Sequence, residues 1–247
     1  MAESFGADPE RYDQVRPSYP AQMVEVILAD VPGRDVLDVG CGTGIAARLF
    51  QERQCCVTGV EPDARMADFA RRQGLDVDVA RFEEWDRAGR TFHVVVSGTT
   101  WHWIDPPVGA QRAAEALRPG GVFAAFWNVS HPPKQLAESF NSAYGRIAQG
   151  SPFARHGGDW HMRILNRTAR GLTDAGAFDT PRVQRFPWEQ TYTREQWLEV
   201  VPTFGGHGLL DTEQADELMN DLGSAIDAAG GSFPMSYETV LMTATRV

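Results

Sequence analysis

The sequence is poor in basic residues and has almost no lysine. Its 23 Lys and Arg residues are outnumbered by 33 Asp and Glu residues, which gives a formal net charge of −10, and Lys134 is the single lysine. Proteins that bind nucleic acid use clustered cations to displace phosphate counterions. The acidic balance therefore argues against RNA or DNA as a partner.

Cysteine and long apolar runs are also scarce. The three cysteines Cys41, Cys55 and Cys56 lack metal-ligand spacing and two of them are adjacent, which favours reduced thiols and predicts no metal site. No apolar run reaches the roughly 18 residues that a membrane-spanning helix needs. The first residues lack a basic segment followed by an apolar one, so we expect a cytoplasmic protein without a membrane partner.

The most informative stretch is residues 36–44, with the sequence VLDVGCGTG. The short run with β-branched residues predicts a buried parallel strand, and the glycines at alternate positions predict a tight turn. A helix is expected to open directly after Gly44. A strand, a glycine turn and a helix N-terminus are typical of a nucleotide site, because free N–H groups of the first helical turn point into the crevice.

The glycine spacing and Asp38 indicate which nucleotide this site takes, and Glu61 suits either class of nucleotide. Phosphate-binding dinucleotide folds use G-x-G-x-x-G, whereas the third glycine here comes one residue early. Asp38 would repel a pyrophosphate but suits a ligand that carries an ammonium or sulfonium charge, which favours S-adenosylmethionine over NAD. Glu61 ends the next apolar run, where a carboxylate can accept hydrogen bonds from a ribose diol. The alternatives are a capping role for Asp38 and a plain surface charge for Glu61.

The chain resembles class I S-adenosylmethionine-dependent methyltransferases, and most closely their small-molecule group of trans-aconitate methyltransferase-like proteins. The resemblance covers residues 12–128 strongly and rests on ordered motifs beyond the glycine turn, namely Gly59–Asp63, Phe82–Trp85, Trp101–Asp105 and Leu117–Gly121. It implies a methyl transfer from S-adenosylmethionine, with S-adenosylhomocysteine as product, to a small molecule.

The expected fold is α/β, a Rossmann-like doubly wound sheet of seven strands. Alternating strands and helices predict βαβ units, and the resemblance implies an antiparallel last strand and a small helical cap. We expect one domain with four parts: an N-terminal arm and helix (1–30), a cofactor-binding core (34–128), a cap or substrate region with the sixth strand (130–207), and a last helix and strand (211–247). Pro62 is expected at the first position of a helix, and residues 150–161 are expected to form an irregular loop.

The expected cofactor residues surround the glycine turn and the ends of the following strands. In the resembling family the N-terminal segment folds over the cofactor and the residues after the third strand line the adenine. The cofactor set is Tyr19, Asp38, Gly40, Cys41, Gly42, Thr43, Gly44, Glu61, Pro62, Met66, Arg81, Phe82, Glu83, Ser97 and Gly98. Cys41 is expected to fill space and not to act as a nucleophile, and Phe82 fits the apolar core nearly as well.

A second set is expected to contact the methyl acceptor. It comprises Tyr12, Trp101, His102, Trp127, Asn128, Trp160 and His207. His102 is the candidate catalytic residue, because an imidazole at the carboxyl edge of the sheet could take a proton from an O–H or N–H acceptor. The alternative is a histidine that only orients its loop or touches the cofactor.

Methyl transfer has two competing hypotheses. A protein of the same fold can bind the cofactor and catalyse something else, because a fold does not fix a function. A nicotinamide oxidoreductase is disfavoured by the glycine spacing and by Asp38. The sequence does not indicate whether oxygen, nitrogen or a carboxylate is methylated.

Overall fold

A computed structural model describes residues 6–29, 31–147, 160–205 and 207–247. Most of the loop predicted at 150–161 lies outside the described residues. The strands are β1 (Asp35–Val39), β2 (Cys56–Glu61), β3 (Asp76–Val79), β4 (Phe92–Gly98), β5 (Leu117–His131), β6 (Arg182–Thr193) and β7 (Ser232–Thr245). The α-helices are α1 (Pro9–Val15), α2 (Ala21–Leu28), α3 (Ile45–Gln51), α4 (Ala64–Arg72), α5 (Pro106–Ala116), α6 (Lys134–Ile147), α7 (Trp160–Asp174), α8 (Arg194–Val200) and α9 (Thr212–Ala228).

The seven strands form one sheet in the order β3-β2-β1-β4-β5-β7-β6. β1 pairs in parallel with both β2 and β4, β2 pairs in parallel with β3, and β4 with β5. The last strands are antiparallel. From β1 the chain adds β2 and β3 on one side of the sheet and then crosses to add β4 and β5 on the other side. Open α/β sheets bind ligands in the crevice at such a switch point. The predicted fold class is confirmed.

Local sequence explains where the helices begin and end. Asp63 caps the N-terminus of α4 by accepting a hydrogen bond from the backbone N–H of Arg65, and Gly74 follows the helix with a φ of +88°. Asp105 caps α5, whose first two positions are prolines. Thr193 and Asp211 form capping boxes with Gln196 and Gln214, at α8 and α9.

Two local predictions differ from the structure. Pro62 lies before the capping residue Asp63 and is not the first residue of α4, because the Asp63 carboxylate caps the helix and fixes its start at Ala64, two residues after Pro62. The segment expected to be an arm contains a helix, α1, capped by Asp8 with Pro9 in its first turn. None of its seven residues is buried. The segment therefore has no apolar periodicity from which a helix could be predicted.

The chain divides into two compact units. The larger unit comprises residues 18–128, 161–186 and 239–247, and the smaller comprises residues 1–17, 129–160 and 187–238. The single-domain organisation stays a prediction. Among the described helices, none is both long and apolar enough to cross a membrane.

Each unit has its own apolar core. In the larger unit, α2, α3 and α4 pack residues such as Met23, Phe50 and Ala70 against the valines of β1, β2 and β4. In the smaller unit, α6, α8 and α9 pack around an aromatic cluster that includes Phe140, Trp197 and Phe233. The larger unit contains β1 to β4 and therefore the predicted cofactor residues.

Candidate functional site

The loop after β1 depends on three glycines in the left-handed region. Gly40, Gly42 and Gly44 have φ values of +66°, +55° and +90°, which L side chains rarely adopt. A Cβ on Gly40 would lie 2.1 Å from Cγ2 of Thr100. The loop therefore needs glycine for its backbone conformation and, at Gly40, also for close packing.

Glu61 ties this loop to the end of β2. Its Oε2 accepts a hydrogen bond from the backbone N–H of Gly42 at 2.9 Å, and its Oε1 accepts one from the backbone N–H of Asp63 at 2.9 Å. Burial raises the pKa of Glu61, while these two backbone donors act to lower it. Each carboxylate oxygen has one lone pair left for a ligand.

Asp38, near the end of β1, is a buried carboxyl group in the larger unit. Its side chain is buried, with 1% relative exposure, and neither carboxylate oxygen has a hydrogen-bond partner of normal geometry within the described part of the chain. Burial and, second to it, the Glu61 carboxylate raise its pKa to about 7, with the backbone N–H of Ala47 acting in the opposite direction. An unpaired buried carboxylate is costly and is a candidate functional group.

Thr43 and Cys41 complete the glycine loop. Thr43 is 1% exposed, and its hydroxyl oxygen, like both carboxylate oxygens of Asp38, is a buried polar atom for which the described ranges provide no partner. Burial, with Asp38 and Glu61 acting in the same direction, raises the pKa of the Cys41 thiol well above its ordinary value. Cys41 also fills the space beside Gly59, where a Cβ would lie 2.6 Å from the Cys41 sulfur. This agrees with a packing role for Cys41.

Tyr19 packs at the carboxyl end of β4. Its hydroxyl lies 2.9 Å from Oγ1 of Thr99, and its ring makes an edge contact with Phe126, with ring centroids 4.7 Å apart. Thr99 has a φ of +52°, which is strained for a β-branched residue. A Cβ on Gly98 would lie 2.9 Å from the Tyr19 hydroxyl, so these predicted cofactor residues are brought together.

The other predicted cofactor residues differ in their surroundings. Met66 lies near Gly42, since a Cβ on Gly42 would be 3.6 Å from its Cε atom. Phe82 is buried against Trp85 and Trp101. Arg81 is exposed. Two further residues already have protein partners: the Ser97 hydroxyl donates to the Val39 carbonyl, and Glu83 accepts from the backbone N–H of Asp105.

His102 lies in a 3-10 turn, Trp101–Trp103, that follows β4. Its Nδ1 accepts a hydrogen bond from the indole Nε1–H of Trp127 at 3.2 Å. Burial lowers its pKa to about 4, and the positive charge of Arg167 acts in the same direction. The imidazole is therefore neutral at physiological pH.

Of the remaining predicted acceptor residues, two more lie in the larger unit. Trp101 is buried, with its ring centroid 4.6 Å from that of Phe123. The amide of Asn128 is engaged on both sides, because its Nδ2 donates to the Ser18 carbonyl and its Oδ1 accepts from the Thr239 hydroxyl. Asn128 thereby joins β5 to the segment before Tyr19.

Three predicted acceptor residues belong to the smaller unit. The Arg16 guanidinium lies over the ring of Tyr12, with Arg16 Cζ 5.3 Å from the ring centroid. Burial lowers the pKa of His207, and Arg11 acts in the same direction. Trp160 is the first residue of α7 and is half-buried. Their roles stay predictions.

Sequence reasoning did not single out several residues that shape the site. Thr100 packs on Gly40 and donates to the Gly40 carbonyl at 3.1 Å. Thr99 links Tyr19 to the end of β4, and Asp63 caps α4 beside Glu61. Thr99 and Thr100 directly follow the end of β4, and their position at the carboxyl end of a strand was the available signal.

Comparisons with known proteins bear on the family and the fold of this chain. A family model described as a methyltransferase domain matches residues 12–168. An uncharacterized methyltransferase of Mycobacterium tuberculosis is 35% identical over 132 residues, which cover 52% of this chain and 54% of the relative. Trans-aconitate 2-methyltransferase of Deinococcus radiodurans is 32% identical over 131 residues, covering 50% of each. The match therefore spans about half the length of these curated relatives.

A solved structure shares the fold over nearly the whole chain. It is described as a type II methyltransferase from Anaeromyxobacter dehalogenans, with 20% identity, a TM-score of 0.71, and coverage of 92% of this chain and 97% of that one. The fold and the site define a class I methyltransferase architecture. Because the family model covers more than half of the sequence, the chain belongs to the methyltransferase-domain family.

Proposed function

We propose that this protein transfers a methyl group from S-adenosylmethionine to a small-molecule acceptor. The observation that carries the proposal is the buried, unpaired carboxylate of Asp38 beside the glycine loop, as far as the described residues show. A buried carboxylate without a counter-charge is stabilised by a cationic ligand. A pyrophosphate would be repelled at the same place.

The residues present fit this cofactor. Asp38 would pair with a cationic group of the ligand, and the hydroxyl of Thr43 is a second buried polar group without a partner among the described residues. The free lone pairs of Glu61 suit the ribose hydroxyls. At Gly42 a Cβ would make only ordinary van der Waals contact, 3.6 Å from Met66 Cε, so the requirement for glycine there comes from its φ of +55°. The remaining members of the predicted cofactor set stay predictions.

Catalysis would consist mainly of positioning. When bound, S-adenosylmethionine supplies an electrophilic methyl group on a sulfonium. The protein then has to hold the acceptor in line and exclude water. Rigid placement is what this site provides, since Glu61 fixes the glycine loop to β2 and Asn128 fixes β5 to the chain before Tyr19.

The acceptor is proposed to be a small organic molecule, and the relatives guide its choice. One curated relative is named for trans-aconitate, and another, from Enterobacter lignolyticus, is named malonyl-[acyl-carrier protein] O-methyltransferase. The second name describes a substrate carried on a protein. Nucleic acid remains disfavoured by the net charge of −10. A cytoplasmic location stays a prediction. The cysteines Cys41, Cys55 and Cys56 are free thiols, which suit a reducing compartment.

A calorimetric titration tests the cofactor. The protein is titrated with S-adenosylhomocysteine and separately with NAD, and the Asp38→Ala variant is titrated beside the Asp35→Ala variant. Asp35 is on the same strand but is ion-paired with Arg118 at 2.9 Å, so it controls for substitution in β1. We expect micromolar binding of S-adenosylhomocysteine alone, weakened at least tenfold by Asp38→Ala. Binding of NAD alone would refute the proposal.

A turnover assay separates methyl transfer from the second candidate, a protein that binds the cofactor without methylating. S-adenosylmethionine is incubated with trans-aconitate, catechol or ethanolamine, which present a carboxylate, a phenol and an amine. Formation of S-adenosylhomocysteine that depends on one acceptor supports the proposal. Tight cofactor binding without turnover across a wider set of such acceptors favours the second candidate.

A further inference from the structure

The hydrogen bond between Trp127 and His102 fixes which ring nitrogen of His102 carries the proton. An indole Nε1–H can only donate, and it lies 3.2 Å from His102 Nδ1. Nδ1 must therefore be the unprotonated acceptor of the neutral ring. The single proton of the neutral imidazole is on Nε2, which makes Nε2–H a donor.

Both partners of this bond are held firmly. Trp127 is 2% exposed in β5 and Trp101, next to His102, is 3% exposed. Trp101 in turn packs edge-on against Phe123 at 4.6 Å and against Phe82 at 6.0 Å between ring centroids. The His102 ring also contacts the Trp103 ring, with centroids 4.8 Å apart. The imidazole is thus oriented by the hydrogen bond from Trp127 and by its buried neighbour Trp101, whereas Trp103 is 44% exposed.

The electrostatic surroundings of His102 act against proton uptake. Burial is the larger cause of its lowered pKa and the cation of Arg167, on α7, is the other. The rings of Trp103 and Trp127 that touch it bear no charge. A general base needs a free lone pair directed at the proton it removes, and the only lone pair of this tautomer is occupied by Trp127.

We propose that His102 is a hydrogen-bond donor, through Nε2–H, that positions the methyl acceptor and takes no proton from it. This inference rests on the proposed methyl transfer and refines the role of one residue in it. The acceptor must then offer a lone pair to Nε2–H and be nucleophilic without losing a proton to His102. A carboxylate meets both conditions at neutral pH, whereas a phenol or an alcohol needs another base.

The first test is the tautomer itself, measured by NMR on the full chain with 15N-labelled histidine and no ligand. His102 is assigned from the signals that disappear in the His102→Gln variant. We expect a non-protonated Nδ1 and a protonated Nε2 from pH 6 to pH 8. A protonated Nδ1, or titration of His102 near pH 6.5 to 7, the ordinary range of histidine, would overturn the proposal.

A pair of tryptophan variants shows whether Trp127 sets the tautomer. Trp127→Phe removes the indole donor to His102, and Trp85→Phe is the matched control because its indole donates to Asp78 Oδ2 at 2.8 Å. Loss of a donor to the neutral ring should raise the His102 pKa and mix the two tautomers in Trp127→Phe alone. Equal His102 signals in both variants would show that Trp127 does not fix the ring.

The second test concerns the acceptor and uses the same signal. Trans-aconitate, catechol and ethanolamine are each added at millimolar concentration to the protein with S-adenosylhomocysteine. We expect trans-aconitate to shift the His102 Nε2–H resonance and ethanolamine to leave it in place. An Nε2–H signal that none of the three moves would overturn the donor role. Because the tautomer measurement uses no ligand, a failure of cofactor binding is distinguished from a failure of this inference.

Discussion

The Asp38 and Glu61 carboxyl groups are buried at the ends of neighbouring parallel strands, and only one of them is satisfied by the protein. Glu61 accepts backbone hydrogen bonds from Gly42 and Asp63, while Asp38 accepts none of normal geometry from the described chain. Each negative charge makes the other more costly, and Glu61 raises the pKa of Asp38. The pair therefore stores electrostatic free energy that a cationic ligand would release.

Asp38→Asn is expected to stabilise the cofactor-free protein and to weaken its binding of S-adenosylhomocysteine. The raised pKa of about 7 means that ionised Asp38 lowers the free energy of unfolding at pH 8, on the order of 2–4 kcal/mol. The amide removes that charge and should raise the Tm by several degrees. Differential scanning calorimetry at pH 8 measures this, with Asp35→Asn as the control that should change stability by less than about 1 kcal/mol. A lower Tm for Asp38→Asn would contradict the expectation.

The pH dependence of stability follows from the same pKa. The folded value of about 7 is above the unfolded value of about 3.9, so the folded protein binds more protons between these two pH values. The contribution of Asp38 to the free energy of unfolding therefore decreases as pH rises through this window. Asp38→Asn should make the decrease smaller.

Binding of S-adenosylhomocysteine is expected to weaken as pH falls through about 7. The ammonium group of this ligand favours the ionised form of Asp38, so binding below the Asp38 pKa of about 7 must release a proton. The apparent affinity should fall by about tenfold between pH 8 and pH 6. Calorimetry in buffers of different ionisation enthalpy measures the released proton. The dependence should disappear in Asp38→Asn, and an unchanged slope in that variant would assign the proton to another group.

Much of the cofactor loop could be predicted from the sequence because its determinants are local. Left-handed backbone at Gly40, Gly42 and Gly44 needs glycine whatever the rest of the fold does. The placement of Asp38 and Glu61 follows from two buried strands that end beside each other in a parallel sheet. These features depend on residue type and short spacing, which a single sequence displays.

The contacts that were not predicted join residues far apart in the chain. Trp127 and His102 are separated by 25 positions, and Asn128 and Thr239 by 111. Their hydrogen bonds depend on strand register and side-chain rotamers, for which one sequence carries no signal. The tautomer of His102, and with it the choice between donor and base, could be inferred only from that geometry.

Glu61→Gln is expected to weaken cofactor binding and, unlike Asp38→Asn, to destabilise the fold. A glutamine offers one acceptor oxygen, so either the Gly42 or the Asp63 N–H loses its partner. An unpaired buried donor costs about 1–3 kcal/mol. Urea unfolding measures the stability and calorimetry the affinity, with the exposed Glu84→Gln as control. Stability equal to that of the unsubstituted protein would mean that removal of the repulsion between Glu61 and Asp38 offsets the lost hydrogen bond.

Gly40→Ala is expected to damage the cofactor site more than an equal change at another left-handed glycine. Gly40 and Gly74 have φ values of +66° and +88°, so alanine is strained at both, by roughly 1–2 kcal/mol. A Cβ at Gly74 meets nothing within 4 Å, whereas at Gly40 it lies 2.1 Å from Thr100 Cγ2. Overpacking of this kind adds about 1–3 kcal/mol.

The two alanine variants are compared by urea unfolding and by calorimetric titration with S-adenosylhomocysteine. Gly74→Ala should lose stability through backbone strain alone and bind normally, because Gly74 follows α4 outside the glycine loop. Gly40→Ala should lose more stability and at least tenfold in affinity, since Thr100 or the loop backbone must move to admit the methyl group. Equal losses in the two variants would show that backbone strain, and not the contact with Thr100, accounts for the requirement for glycine at position 40.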